Sequence, residues 1–286
     1  MNLGRVTALY RYPVKSMAGE AIDEIEILAH GVPGDRAWAV RDEVRGGIRG
    51  AKKLPALMRL AARYLAAPAP RGSSQAEIEL PDGSRIRTDD PQVNARLSEA
   101  LGQPVTLWPL LPAEALDHYR RGAPTHVDAQ QELRSIFGRL PDEALPDLSG
   151  LPRELFTFES PPGTYFDAYP LLLLSEASLS QLQEQAPGSR IDVRRFRPNV
   201  VLDQTPEERY PELAWTGKRV RLGDAVLRLT IRCMRCVMTT HGFADLPKDP
   251  GVMRALVRAT DGHLGVYASV ESPGRARRGD ALMLLD

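Results

Sequence analysis

Near the amino terminus, Val6, Ala8 and Tyr10 alternate with Thr7, Leu9 and Arg11, the period of a strand with one buried face. Ile22, Ile25 and Ile27 predict a second strand within residues 21–28, so Tyr12 to Glu20 is a loop between strands. Ile78 and Leu80 before Pro81-Asp82-Gly83-Ser84, with Ile86 after it, predict a hairpin over residues 76–88. Asp90 and Pro91 predict a helix start, Val93, Leu97 and Leu101 its buried face, and Gly102 its end. Residues 104–108 return to a strand pattern. Ser175 predicts the cap of a helix reaching about Gln185, and residues 198–203 a short strand. Arg219 to Leu229 alternates around Gly223-Asp224, a two-residue hairpin signal whose second arm runs toward Cys233 and Cys236. Asp249 and Pro250 repeat the helix-start pattern, and residues 264–270 and 281–285 close the chain as strands. Strands outnumber helices without a regular βαβ alternation, so the expected class is mixed α+β, strand-dominated and barrel-like.

Between residues 109 and 165 prolines accumulate and periodicity fades, which places a domain junction there. The expected division is 1–120 and 121–286. That fits a length of 286 residues, since domains commonly run about 100 to 200. The 37 basic and 37 acidic residues balance, so no whole-molecule field favours nucleic acid or an anionic membrane. The longest apolar run, residues 170–174, is far short of the roughly 20 residues of a membrane span, and Met1 to Pro13 does not resemble a signal peptide. The expectation is a cytoplasmic protein without nucleic-acid or membrane partners.

Two cysteines three residues apart do not make a disulfide scaffold. Arg232-Cys233-Met234-Arg235-Cys236 admits structural zinc, a redox dithiol, two buried structural thiols, or one thiolate completing the shell of a metal that a cofactor already holds. Zinc lacks a second histidine at finger spacing beside His241. The dithiol lacks a helix start, because the β-branched Val237, Thr239 and Thr240 favour strand or loop. Arg232 and Arg235 are expected to stabilise a thiolate. Arg194, Arg195, Arg197 and Asn199 offer planar donors to an anion, with Arg194 and Arg195 expected on a solvated basic face. Lys15 and Ser16 offer an ammonium and a hydroxyl suited to a phosphate oxygen, and Lys52 a further cation.

Four motifs in order carry a resemblance: Tyr12-Pro13-Val14-Lys15-Ser16, Leu174-Ser175-Glu176-Ala177-Ser178-Leu179, Phe196-Arg197-Pro198-Asn199-Val200 and Arg235-Cys236-Val237-Met238-Thr239-Thr240. Together they resemble MOSC-domain proteins, most nearly the amidoxime-reducing subgroup and bacterial proteins that detoxify N-hydroxylated bases. The resemblance implies a MOSC-associated β-rich domain, then a MOSC β-barrel domain, with the molybdenum cofactor (molybdenum bound to molybdopterin) between them. It implies Cys236 as the catalytic ligand to molybdenum, and Lys15, Ser16, Lys52, Arg197, Asn199, Thr239 and Thr240 as cofactor contacts. Arg235 and Asp245 are further candidates. Asp245 stands in for the acid of the Val-Asp-Pro that usually follows the twin threonine in relatives, and Asp167-Ala168-Tyr169 replaces a hydroxyl-rich stretch. The implied substrate is a small N-hydroxylated compound, and the implied electron source is a separate ferredoxin-like, flavin or haem protein. A molybdenum-cofactor or sulfur carrier using a Cys236 persulfide, and a zinc- or disulfide-stabilised module without catalysis, stay open beside it.

Overall fold

The structure is a computed structural model that describes residues 1–203 and 209–285. Among the described residues, seven strands close a barrel. In spatial order they are Val200–Asp203, Leu171–Ser175, His263–Ser272, Ala225–Met234, Arg219–Leu222, Ala281–Leu284 and Asn2–Arg11, and the last pairs back onto the first. Only Leu171–Ser175 and Val200–Asp203 run parallel. The barrel takes its strands from both ends of the chain, and full closure leaves no ladder edge for another chain to pair with. Glu20–Ile22 adds to the outside of Asn2–Arg11.

The barrel interior is filled by Leu3, Val6, Leu9, Leu171, Leu173, Val200, Leu202, Leu227, Leu229, Val266 and Leu282, all buried. The first strand does not keep the expected period of two. Its buried residues are Leu3, Val6 and Leu9, because the register slips between Asn2 and Arg5 and again between Val6 and Ala8, and each slip turns the next side chain to the other face. A second core gathers Val14, Met17, Val40, Leu57, Ile78 and Leu97 around the sheets Trp38–Asp42 with Ile48–Arg49 and Val105–Pro109, and Ala61–Tyr64 with Ala76–Glu79 and Arg85–Arg87. Phe243 and Leu246, from the last third of the chain, insert into that core and stitch it to the barrel.

The local signals hold with small shifts. The hairpin turns on Asp82-Gly83 and Gly223-Asp224 form as expected. At Gly223, φ is +55° and a Cβ would stand 2.1 Å from the Arg275 carbonyl oxygen, so the position requires glycine. Ser175 caps the helix Glu176–Gln185 by accepting from the Ser178 N–H at 3.1 Å. The helix expected from Asp90 starts at Val93, because Asp90 closes a turn first, accepting from the N–H groups of Gln92 and Val93. Within the proline-rich stretch lies a helix with no counterpart in the periodicity reading, Ala129–Phe137, capped by the Asp128 carboxylate.

Candidate functional site

A cavity of about 560 Å³ opens where the barrel meets the second core, and Cys236 is on its wall. The cysteine follows the strand Ala225–Met234, whose register slips twice between Leu229 and Met234. Such irregularities bend a strand end and re-aim its side chains. Val237–Thr240 then forms a single tight 3-10 turn, not a strand. The threonine hydroxyls explain it: Thr239 donates to the Cys236 carbonyl at 3.1 Å and Thr240 to the Val237 carbonyl at 2.7 Å, local bonds that favour a turn over a ladder. Thr239 reaches the cavity wall, whereas Thr240 is buried behind it.

The two thiols stand in different surroundings. Cys233 is buried and accepts from Arg235 Nη1 at 2.8 Å. Arg235 Nη2 donates to the Phe196 carbonyl at 2.6 Å, and its Nε is buried without a partner. Arg232 is exposed and donates to the Leu213 carbonyl, so neither arginine pairs with the Cys236 sulfur as expected. Burial and the nearby Asp167 carboxylate push the Cys236 thiol above its ordinary range, against the pull of Lys52. The free thiol is therefore protonated at neutral pH, and coordinating a metal releases that proton.

Arg197 comes from a different part of the fold. It follows the turn Val193–Arg195 and has a left-handed backbone, φ +56°, which turns its side chain back across the Tyr12 ring, 4.1 Å from guanidinium carbon to ring centre. Nη1 donates to the Met17 carbonyl, while Nη2 is buried with no partner. Burial, helped by its neighbour Arg36, pulls the guanidinium down to about 10. A buried donor with no acceptor is costly, and an anionic group in the cavity would satisfy it.

Arg36 is a cavity residue that sequence reasoning missed. It too has a left-handed backbone, φ +50°, and lies 4.7 Å from the Tyr12 ring centre. It pairs with buried Asp35 and donates to the Arg197 carbonyl at 3.3 Å, while Asp35 also accepts from the Tyr12 N–H. The Gly34-Asp35-Arg36 turn, with a positive φ at Gly34, was the available signal.

The other expected contacts divide. Lys52 lines the cavity and pairs with buried Glu159 at 2.9 Å, an ion pair that outweighs the burial of its ammonium. Lys15 lies behind the wall. Its ammonium, pushed down by burial, donates to the Tyr165 carbonyl and to Asp167, both at 2.9 Å. Asp167 is itself exposed to the cavity, and Lys15, Lys52 and Arg36 together hold its carboxyl well below the usual range. The Ser16 hydroxyl accepts from the Ala51 N–H at 2.9 Å, and Ser16 does not line this cavity. Asn199 lines the cavity, but its amide bridges strands, accepting from the Leu172 N–H and donating to the Tyr10 carbonyl. Asp245 does not reach the cavity. It is half-exposed and paired with Arg190 and Arg194, which hold it down to about 2. Arg195, expected on a solvated face, is instead fully buried and donates to the carbonyls of Arg190, Thr239, His241 and Pro247, which fixes the loop after the cysteine turn.

Overall the wall presents Arg36, Arg49, Lys52, Lys53, Arg121, Arg197 and Arg235 against Glu132, Glu159 and Asp167, a surplus of cation suited to an anionic ligand. The soft donor is Cys236. Among the described residues no three His, Cys, Asp or Glu side chains gather to hold a metal by themselves.

The MOSC domain matches residues 161–283, and the MOSC N-terminal beta barrel domain matches residues 3–105. This chain is a MOSC-domain protein. Mitochondrial amidoxime-reducing component 1 of Mus musculus is 27% identical to it over 312 residues, covering 99% of this chain and 83% of the relative. A molybdenum cofactor sulfurase of Oryza sativa subsp. japonica is 26% identical over 79% of this chain, which spans 27% of that protein. Among solved structures, the YUAD protein from Bacillus subtilis aligns over 98% of this chain and 94% of its own, with 13% identity and a TM-score of 0.44. No described helix of the MOSC-domain chain is long and apolar enough to cross a membrane.

Proposed function

We propose that this protein is a molybdenum-cofactor-dependent reductase of N-hydroxylated compounds, with Cys236 as the protein's ligand to the metal. The observation that carries this reading is a cavity wall that includes Cys236, the one of the two cysteines that is not buried, and a buried, unpartnered Arg197 Nη2. The residues present fit the group: guanidinium and ammonium groups complement a phosphate, and a thiolate suits molybdenum. Arg197 and Arg36 would hold the anionic part of the cofactor, with Lys52 adding charge and Arg235 Nε a further donor. The bound cofactor would supply the two-electron chemistry, in which an N–OH group, two electrons and two protons give N–H and water.

The chain's own part is binding and positioning. Tyr12 receives two guanidinium groups on its ring and donates to the Pro198 carbonyl at 2.9 Å, so Arg36 and Arg197 are held in place before any ligand arrives. Asp167, on the cavity side, pairs with the buried Lys15 and stays anionic. The electrons would come from a separate donor protein, of ferredoxin, flavin or haem type.

The test is to purify the protein from a host that makes the cofactor, measure molybdenum, zinc and pterin in one sample, and assay benzamidoxime reduction with an artificial donor. Stoichiometric molybdenum and pterin with turnover supports the reading, whereas one equivalent of zinc without pterin overturns it. The similarity to a cofactor sulfurase favours a second reading, a cofactor or sulfur carrier with a Cys236 persulfide. A stable persulfide by mass spectrometry, with no turnover of any N-hydroxylated compound, would select it.

A further inference from the structure

Residues 106–160 fall between the two family matches, and they build a side of the cavity that the cofactor reading leaves unused. The helix Ala129–Phe137 buries none of its residues in a core. Charged contacts hold it instead. Lys53 pairs with Glu132, which also accepts from the His126 N–H at 3.0 Å, and just beyond the helix Arg254 pairs with Glu143. An amphipathic helix on a folded protein ordinarily turns its apolar stripe onto the core. Here Leu133, Ile136 and Phe137 turn theirs onto the cavity, facing the space also lined by Leu151, Leu155 and Phe156.

The cavity thus has two chemistries. Arg36, Arg197 and Arg235 line it together with Cys236, and the helix and the turn Arg153–Phe156 add the apolar Leu133, Ile136, Phe137, Leu155 and Phe156. A volume of about 560 Å³ lies within the range of roughly 300–1,000 Å³ of small-molecule pockets. Apolar side chains held by ion pairs against an open cavity gain only when an apolar body displaces the water there.

We propose that the apolar wall formed by residues 129–156 is the specificity pocket for the substrate, selecting compounds whose N-hydroxylated group is attached to an aromatic or branched aliphatic body over small polar ones. The nature of the reacting group rests on the reductase reading, whereas the selection for an apolar body rests on the wall alone.

Calorimetric titration of the cofactor-loaded full chain with benzamidoxime and with acetamidoxime tests it, with reduction assayed in parallel. The wild-type protein is expected to bind benzamidoxime about tenfold or more tightly than acetamidoxime. Ile136→Asp, which puts charge in the wall, and Leu133→Trp, which fills it, should each bring that ratio close to one. Because the helix lies outside every core, both variants should keep the wild-type melting temperature. Equal binding of the two compounds by the wild-type protein, or an unchanged ratio in both variants, overturns the proposal. Selective binding without turnover keeps the pocket and removes the reductase reading, and turnover without selectivity does the reverse.

Discussion

Arg235 Nη1 lies 2.8 Å from the Cys233 sulfur, so the guanidinium nearest the cysteine pair is committed to the buried thiol and leaves Cys236 free to face the cavity. The pair is therefore unequal by construction. Cys236→Ala should lose nearly all bound molybdenum and the reductase activity with it, with little change in melting temperature. Cys233→Ala strands an Arg235 donor, which costs about 1–3 kcal/mol, so it should melt earlier yet keep most of its molybdenum. Metal analysis and thermal melts on both variants check this, and equal molybdenum loss in the two would sink the ligand assignment.

Arg197→Lys keeps the charge but removes the planar fork that spans the Tyr12 ring, the Met17 carbonyl and the cavity. Charged hydrogen bonds contribute about 1.5–3 kcal/mol, so cofactor affinity should fall about 10- to 100-fold. Pterin retention through gel filtration measures the loss. Retention at the wild-type level would mean that the unpartnered Nη2 faces no ligand.

Glu212 is buried, and its carboxylate accepts from the hydroxyls of Ser175 at 2.7 Å and Ser178 at 2.6 Å. Burial pushes its carboxyl above the usual 4.5, against those hydrogen bonds. A raised folded-state value favours the protonated form on folding. That contribution is present below the usual carboxylate range and is lost as pH rises through the raised folded value. Glu212→Gln stays neutral while keeping an acceptor for the serines. Its stability relative to wild type should therefore improve from pH 4 to pH 8 in urea melts, and a difference that is flat with pH would show that Glu212 does not titrate across that window.

Asp245 lies outside the cavity, tied to Arg190 and Arg194. Asp245→Ala should leave molybdenum content and turnover at wild-type levels. A drop in either would return this acid to the site by a route its present contacts do not provide.

The features legible in the sequence are those that short-range chemistry decides. The Asp82-Gly83 and Gly223-Asp224 turns, the Ser175 cap and the helix Gly251–Thr260 each follow from a few adjacent residues. The strand-dominated MOSC architecture followed from four ordered motifs. What periodicity could not give is tertiary. The slips in the first strand changed which residues face inward, and nothing local announces them. Arg195 looks solvent-facing beside Arg194 and Arg197, yet four backbone carbonyls draw it inside. Arg36 and Arg197, 161 residues apart, meet only because Tyr12 lies between their segments. The helix Ala129–Phe137 escaped notice because nine residues with three large apolar side chains, set among prolines, show too little period to stand out.

Barrel closure also sets an order of events during biosynthesis. Asn2–Arg11 is made long before one of its two barrel neighbours, Ala281–Leu284. The nascent amino-terminal strand must wait, half-paired, for nearly the whole chain, a sequence separation of the kind that slows folding. Arg36 and Cys236 come from opposite ends of that interval, so the cavity they share is assembled only after Cys236 and the strands around it have been made.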